Sequence, residues 1–284
     1  MPHERATRRG PAAMMIGLLR RILRRIGLAR LIRLGVAGSI PPLWLEIALL
    51  HYRGSFQSKY MWVPVATLPV VFAGGAAGSL LRDERRSRAI FRPLAWAMTL
   101  VGAAGTFFHL RGMARQMGGF YNWRYNAVTG PPLPAPPQVM LLGLLGVAAS
   151  NHQARGETER LVGWVRAVDA LSYLLLATES GYSHWIGGYS NKVMFAPVLL
   201  SPMLALVHTG SATGVPQARA LEAPLSALAV MAGLVGFAFH IRNIRKRSGG
   251  FSWQNFFYGP PAVAPLQLSG QGILGLLARL FGSK

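Results

Sequence analysis

Residues 51–69 read HYRGSFQSKYMWVPVATLP, and residues 184–202 read HWIGGYSNKVMFAPVLLSP. The two stretches share seven identical residues at a constant separation of 133 positions, including a histidine, a lysine and two prolines. Internal similarity at so long a period indicates that one folding unit occurs twice in the chain. The pair of stretches therefore predicts a tandem duplication before any helix is assigned.

A second pattern downstream also occurs twice. It contains a histidine, an arginine two positions later, a Gly-Gly-Phe sequence and then Gly-Pro-Pro at residues 130–132 and 259–261. His109, Arg111 and Gly118 to Phe120 return 131 positions later as His240, Arg242 and Gly249 to Phe251. A polar residue kept at the same place in both copies is harder to attribute to chance. The duplication therefore serves as a filter for candidate functional residues.

The composition indicates a membrane protein. The 284 residues are 51% hydrophobic and only 14% charged, whereas soluble domains carry about 25% charged residues. The net charge is +21, but the basic residues lie between apolar segments, as they do beside membrane helices. We therefore expect the lipid bilayer as a partner and no nucleic acid. The chain has no cysteine, which excludes disulfides, iron–sulfur ligation and thiol catalysis.

The fold class predicted is all-α: a polytopic integral membrane protein of about eight transmembrane helices, arranged as two tandem parallel four-helix repeats. A basic tail and an amphipathic interfacial helix at residues 14–33 precede them, since arginines and leucines fall on opposite faces. The domains predicted are residues 1–33, 34–152 and 153–284. The spans are expected near 34–51, 61–81, 91–109, 136–150, 161–180, 193–209, 222–240 and 262–281.

The distribution of basic residues predicts the orientation. With the N-terminus in the cytoplasm, 20 of the 30 Lys and Arg residues fall on the cytoplasmic side. We therefore expect a multi-pass protein of the cell inner (plasma) membrane. Both repeated patterns then face outward. Because each copy has four spans, an even number, both copies have the same orientation in the membrane. They are then related by an axis along the membrane normal.

Two carboxylates lie within the apolar spans at matching positions, Glu46 and Glu179. A carboxylate inside a membrane helix is costly and often functional, although it can also hold neighbouring helices together. Arg166 and Asp169, one turn apart near the end of the fifth span, are interpreted as a helix-end pair. His152 and His208 occur in one copy only and are expected at the surface.

Four histidines, each ending an odd-numbered helix on the same side, form the sharpest pattern. Together with the two glutamates they resemble the inventory of a metal or haem site. Histidine and glutamate five positions apart on a continuous helix point about 140° apart, which argues against one shared ion. Histidines that bond the outer loops are the alternative. The metal candidates are His51, His109, His184 and His240.

The loop pattern predicts a shaped site at the headgroup level. Arginines and aromatic side chains there could hold a quinone headgroup or a lipid phosphate; an aromatic belt without a ligand is the alternative. The candidate ligand-binding residues are Glu46, His51, Lys59, His109, Arg111, Trp123, Asn126, Glu179, His184, Lys192, His240, Arg242, Trp253 and Asn255.

The sequence contains no established enzyme motif and leaves three function classes open. The first is a membrane subunit of a larger complex, whose outward site docks a periplasmic redox partner or other subunits, or binds a quinone- or lipid-like ligand. The second is a transporter or channel that uses Glu46 and Glu179 along the pseudo-twofold axis. The third is an intramembrane metal or haem protein that uses the histidines and glutamates.

Overall fold

The structure, a computed structural model, describes residues 11–152 and 157–282, and it is helical throughout these ranges. The predicted tail at residues 1–13 therefore lies largely outside the described residues. Six of the described helices are long and apolar enough to cross a membrane. The all-α prediction is confirmed, and these six helices are consistent with a membrane protein.

Eleven α-helices make up the described part of the chain. In chain order they are α1 Pro11–Ile26, α2 Leu28–Arg53, α3 Trp62–Leu80, α4 Glu84–Arg115, α5 Trp123–Thr129, α6 Ala135–Asn151, α7 Thr158–Ile186, α8 Phe195–Ala212, α9 Pro216–Lys246, α10 Trp253–Tyr258 and α11 Leu266–Phe281. Short 3₁₀ turns precede α3, α5 and α8.

The predicted amphipathic helix at 14–33 has the wrong C-terminal boundary. Gly27 adopts a positive φ of 87° and separates α1 from α2. Residues 28–33 therefore belong to the first long helix, and Arg33 lies fully buried within it. The amphipathic character itself is present in α1, where Leu18, Leu19 and Ile22 remain exposed.

Six of the eight predicted spans correspond to membrane-length helices, with different ends. Helices α4 and α9 reach 32 and 31 residues, because their polar ends extend beyond the apolar windows. The N-terminus of α4 is fixed by Asp83, whose carboxylate accepts hydrogen bonds from the backbone N–H groups of Arg85 and Arg86. Helices α6 and α11 contain only 17 and 16 residues and are not among the six membrane-length helices.

The helices pack at glycines that lie at matching sequence positions. A Cβ on Gly102 of α4 would come within 2.3 Å of the Met140 backbone nitrogen on α6. A Cβ on Gly233 of α9 would come within 2.6 Å of the Ser269 nitrogen on α11. Two helices can approach this closely only where one of them lacks a side chain.

The larger apolar core joins both sequence halves. It contains buried residues of α2, α3, α4 and α6 together with Leu161, Val162 and Val165 of α7 and Ala278 of α11. A smaller core lies between α7, α8, α9 and α11. Many large apolar side chains on the long helices remain exposed, as expected for helices that face lipid.

Candidate functional site

The four repeated histidines lie at one end of the long helices, which we call the histidine end. Each one contacts a backbone carbonyl of the loop or turn that follows its helix. The Nδ1 to oxygen distances are 2.8 Å for His51 to Met61, 2.8 Å for His109 to Pro132, 2.7 Å for His184 to Met194 and 2.6 Å for His240 to Pro261.

These contacts assign the tautomer of each ring. A backbone carbonyl can only accept a hydrogen bond, so the proton lies on Nδ1. The Nε2 lone pair of each neutral imidazole therefore stays available to a proton donor or a metal. All four side chains are half-buried. Bonds from these histidines to the loops were one of the alternatives that the sequence left open, and the four contacts are of this kind.

The histidines also form two pairs. His51 and His109 are near enough to interact electrostatically, and so are His184 and His240. Each pair lies within one sequence half, with one member at the C-terminal end of α2 or α7 and the other near that of α4 or α9. The histidine end therefore presents two similar two-histidine sites.

The turn after each first histidine has an unusual backbone. Phe56 and Tyr189, five residues after His51 and His184, have φ values of 47° and 46°. Non-glycine residues rarely adopt this left-handed conformation, and it often marks a functional constraint. Phe56 stacks on Trp62 with ring centroids 4.0 Å apart, and Tyr189 stacks on Phe195 at 4.3 Å.

The predicted loop signature folds around its asparagine. The Asn126 amide donates hydrogen bonds to the carbonyl oxygens of Met117 and Gly119 at 3.2 and 2.7 Å. The Asn255 amide donates to those of Ser248 and Gly250 at 2.9 and 2.7 Å. Both asparagines are buried. They hold the shape of the loops rather than being open to a ligand.

The remaining predicted residues at this end are exposed. The side chains of Lys59, Lys192, Arg111 and Arg242 face outward, as do those of Trp123 and Trp253. The structure therefore brings the histidines, their turns and the loops together, but it does not enclose the arginines in a pocket. An exposed basic and aromatic surface of this kind suits headgroups or a partner protein.

One contact at this end joins the two sequence halves. Arg53, at the end of α2, donates a 3.2 Å hydrogen bond to the Phe256 carbonyl of α10, and its guanidinium lies over the Phe257 ring. Tyr52 packs edge-on against Trp253 and Phe257. Ile186, which occupies the position matching Arg53, has no side-chain donor.

Glu46 and Glu179 lie between the halves, where they interact electrostatically. The Gln138 amide donates a 3.1 Å hydrogen bond to Glu179, and the Gln267 amide donates one to the Gln138 oxygen. The sequence interpretation missed these two glutamines. Gln138 and Gln267 are 129 positions apart, as are the two Gly-Pro-Pro segments. This shared separation could have identified the two glutamines as a repeated pair.

The histidines and glutamates do not combine into one metal site. The described residues contain no group of three or more His, Asp or Glu side chains placed to hold a metal ion. Helix α7 runs unbroken through Gly181, so Glu179 and His184 lie about 7.5 Å apart along its axis.

Two predictions about residues outside the two repeated patterns are wrong. Arg166 and Asp169 do not form a helix-end pair: Arg166 makes hydrogen bonds of 2.7 and 2.8 Å to Glu222 of α9, and both residues are buried. His208 is not at the surface but fully buried, 3.4 Å from Asp169. The sequence did not reveal this arrangement, because its members lie on three different helices, each among apolar neighbours in sequence.

His152 is also not a free surface residue. It is half-buried, with its ring 3.9 Å from the Glu157 carboxylate. Burial lowers the pKa of the His152 imidazole, and Glu157 opposes this shift.

No family model, curated protein or solved structure matches this chain.

Proposed function

We propose that this chain is an integral membrane subunit of a redox complex and binds a quinol-like ligand at two outward-facing histidine sites. The observation that carries the proposal is the Nδ1 contact of each half-buried histidine with a backbone carbonyl, which orients an Nε2 that has no hydrogen bond among the described residues. A quinol hydroxyl donates a hydrogen bond and, on oxidation, loses a proton; a neutral imidazole can accept both.

The proposal includes two tandem, parallel four-helix halves with eight membrane helices. Its support is the equivalence of contacts at matching positions: the histidine contacts, the stacked turns, the asparagine-centred loops and the glycine crossings. Helices α6 and α11 would complete the eight. They are short, and the Gly-Pro-Pro segments before them would lie at headgroup depth.

The surroundings of the histidines favour a ring-shaped ligand. Stacked aromatic pairs, Phe56 with Trp62 and Tyr60 with Phe108, lie beside the first site. Aromatic side chains at a membrane surface suit a ligand with an apolar tail and a polar ring. Exposed basic and aromatic loops at the same end offer a docking surface for a periplasmic redox partner or another subunit.

Two substitutions of His51 distinguish its structural contact with the following turn from its contact with the ligand. His51→Asn retains a donor near the Nδ1 position, so the contact with Met61 can persist while the Nε2 acceptor is removed. His51→Gln retains polarity near Nε2 but removes the Nδ1 donor. We expect His51→Asn to fold normally and to lose at least tenfold in affinity for an added quinol, with the same result for His184→Asn.

The measurement is binding of a hydroquinone analogue to protein in lipid nanodiscs, together with quinone extraction from the purified protein. His152→Asn is the matched control and should leave binding unchanged. Full analogue binding by a His51→Asn/His184→Asn double variant would overturn the proposal. An absorption spectrum and elemental analysis of the same preparation detect haem or metal. Either group would indicate that the histidines are its ligands instead of binding a quinol.

A transporter remains the second candidate. It is favoured by the network of Glu46, Glu179, Gln138 and Gln267, which lies between the two halves where a central pathway would run. A lower cation flux into proteoliposomes for Glu46→Gln/Glu179→Gln than for the wild type would support it. Unchanged quinol binding in the same variant would show that the two functions are separate.

A further inference from the structure

A buried cluster of ionisable side chains lies in the second half, toward the end opposite the histidines, which we call the arginine end. The His208 Nε2 lies 3.4 Å from the Asp169 carboxylate, and its Nδ1 lies 3.5 Å from the Glu222 carboxylate. Glu222 also binds Arg166 through both oxygens. The Tyr173 ring stacks on the His208 ring at 5.7 Å.

The cluster has many polar atoms without a hydrogen bond. Among the described residues, both Asp169 oxygens, both His208 nitrogens, the Tyr173 hydroxyl and the Ser226 hydroxyl lack a hydrogen-bond partner, and all four side chains are completely buried. A buried polar group without a partner is costly. Water within the cluster is the usual means by which such atoms are satisfied.

The first half fills the same positions with apolar residues. Asp169 and Tyr173 match Val36 and Ile40 at the 133-residue offset, and His208 matches Gly75. At the 131-residue offset, Glu222 matches Phe91 and Ser226 matches Ala95. Arg166 alone keeps its counterpart, Arg33.

The two halves fill the equivalent space with one ring each. In the first half the Phe91 ring occupies it: a Cβ on Gly75 would lie 3.2 Å from that ring, and a Cβ on Gly146 would lie 3.0 Å from it. In the second half a Cβ on Gly275, which matches Gly146, would lie 2.8 Å from the His208 ring. The phenyl ring from α4 is thus replaced by an imidazole from α8.

This comparison indicates that the fold does not require Asp169 or His208, although both halves retain the buried arginine. An apolar filling of the same shape packs well in the first half, and buried ionic groups are often no more stabilising than apolar ones. The charged cluster therefore calls for another explanation than stability.

The charges of the cluster leave one proton to exchange. Arg166 and Glu222 neutralise each other. The Asp169–His208 pair has no net charge when it holds one exchangeable proton. This proton lies either on His208, which is then an imidazolium beside a carboxylate, or on Asp169, which is then a carboxylic acid beside a neutral imidazole. Releasing this proton leaves one buried negative charge. Other polar groups of these packed helices are the Tyr173, Ser201, Ser211 and Ser226 hydroxyls and the Gln271 amide. Arg219 of α9 is a further cation nearby, since it shares the Ser211 carbonyl with Arg166.

We propose that Asp169 and His208 form a proton-exchange site that is present only in the second half, is positioned by the Arg166–Glu222 pair and is reached from the arginine end. The transferred species is a proton, which moves between the Asp169 carboxylate, the His208 imidazole and the water of the compartment at the arginine end. This inference is independent of the quinol proposal, because it involves neither the histidine end nor any redox step.

The arginine end contains a route toward the cluster. A cavity of about 570 Å³ lies there, lined by Arg24, Arg25, His152 and Phe281 among others. Gly282 follows Phe281, and a Cβ on it would lie 3.2 Å from the Arg166 Nη2. The Arg166 side chain therefore lies between Gly282, the neighbour of a residue in the cavity wall, and Glu222.

The test is infrared difference spectroscopy of the full chain in proteoliposomes between about pH 5 and about pH 8, the range in which histidine titrates. All spectra are recorded in a Glu46→Gln/Glu179→Gln background, because these two carboxyl groups inside the spans would contribute carbonyl bands of their own. In this background we expect a carboxylic-acid carbonyl band that grows as the pH falls, and Asp169→Asn should abolish it. In oriented vesicles, acidifying the compartment at the arginine end should produce the band, and acidifying the other compartment alone should not.

A second variant separates loss of the site from loss of the fold. Asp169→Val/His208→Phe reproduces the first half's Val36 and phenyl ring and leaves the Arg166–Glu222 pair intact. It should fold and lack the band. A band that persists in Asp169→Asn, or a spectrum of the Glu46→Gln/Glu179→Gln background that does not change with pH, would overturn the proposal. A response only to the compartment at the histidine end would overturn the route.

Discussion

The guanidinium of Arg33 lies 2.6 Å from the carboxylate of Glu84, and the arginine side chain is fully buried while the glutamate side chain is half exposed. Among the residues in 11–152 and 157–282, removing Glu84 leaves a buried cation with the Ala149 carbonyl, 3.3 Å away, as its one hydrogen-bond partner. We expect Glu84→Ala to lower the free energy of unfolding by about 1–3 kcal/mol. Thermal unfolding in detergent measures this, and Glu84→Gln, which retains an acceptor, should lose less.

A glycine at a helix crossing predicts a loss of stability of similar size. A methyl group at Gly102 would overlap the Met140 backbone nitrogen at 2.3 Å, so Gly102→Ala must push α4 away from α6. Overpacking of this kind costs about 1–3 kcal/mol. Gly38→Ala is the control, since nothing lies within 4 Å of its would-be Cβ. Equal thermal stability of the two variants would contradict the packing described for α4 and α6.

The asparagine-centred loops give a third prediction. Asn126→Ala removes two hydrogen bonds to backbone carbonyls, at about 1 kcal/mol each. We expect faster amide hydrogen exchange across residues 117–130 with little change at 248–259. Asn255→Ala should give the opposite pattern. An exchange increase shared by both loops in either variant would show that the loops do not open independently.

The contact of Arg53 with α10 predicts an asymmetric response. Arg53→Ile copies the residue found at position 186 and removes the bond to Phe256 and the contact with the Phe257 ring. Limited proteolysis should then become faster within 251–258 and stay unchanged within 119–129. Ile186→Val, a conservative change at the matching position, is the control.

The sequence predicts the repeated features of this chain better than its single-copy features. The histidines, the Gly-Gly turns and the asparagines were found because both copies retain them, and all of them have definite structural partners. Glu46 and Glu179 were found for the same reason. Their glutamine partners repeat too, but a shift of the offset from 133 to 129 residues made the match less visible.

The buried cluster escaped sequence analysis for a physical reason. Asp169, His208 and Glu222 lie on α7, α8 and α9, and pairing between helices leaves no periodic pattern along the chain. Filtering by repetition also discarded them, since their first-half counterparts are apolar. Helix ends were misplaced at residue 33 because the arginine there looked like a flanking charge, whereas its partner Glu84 permits burial.

The exchange of one ring for another between the halves restricts how such a core can change. A histidine at Gly75 would meet the phenyl ring of Phe91, and a glutamate at Phe91 without that histidine would leave an empty space. One intermediate is overpacked and the other contains a cavity, and each is less stable than either end state. The two positions are therefore epistatic, and any interconversion of the two cores, in either direction, must cross a valley of reduced fitness or change both residues together.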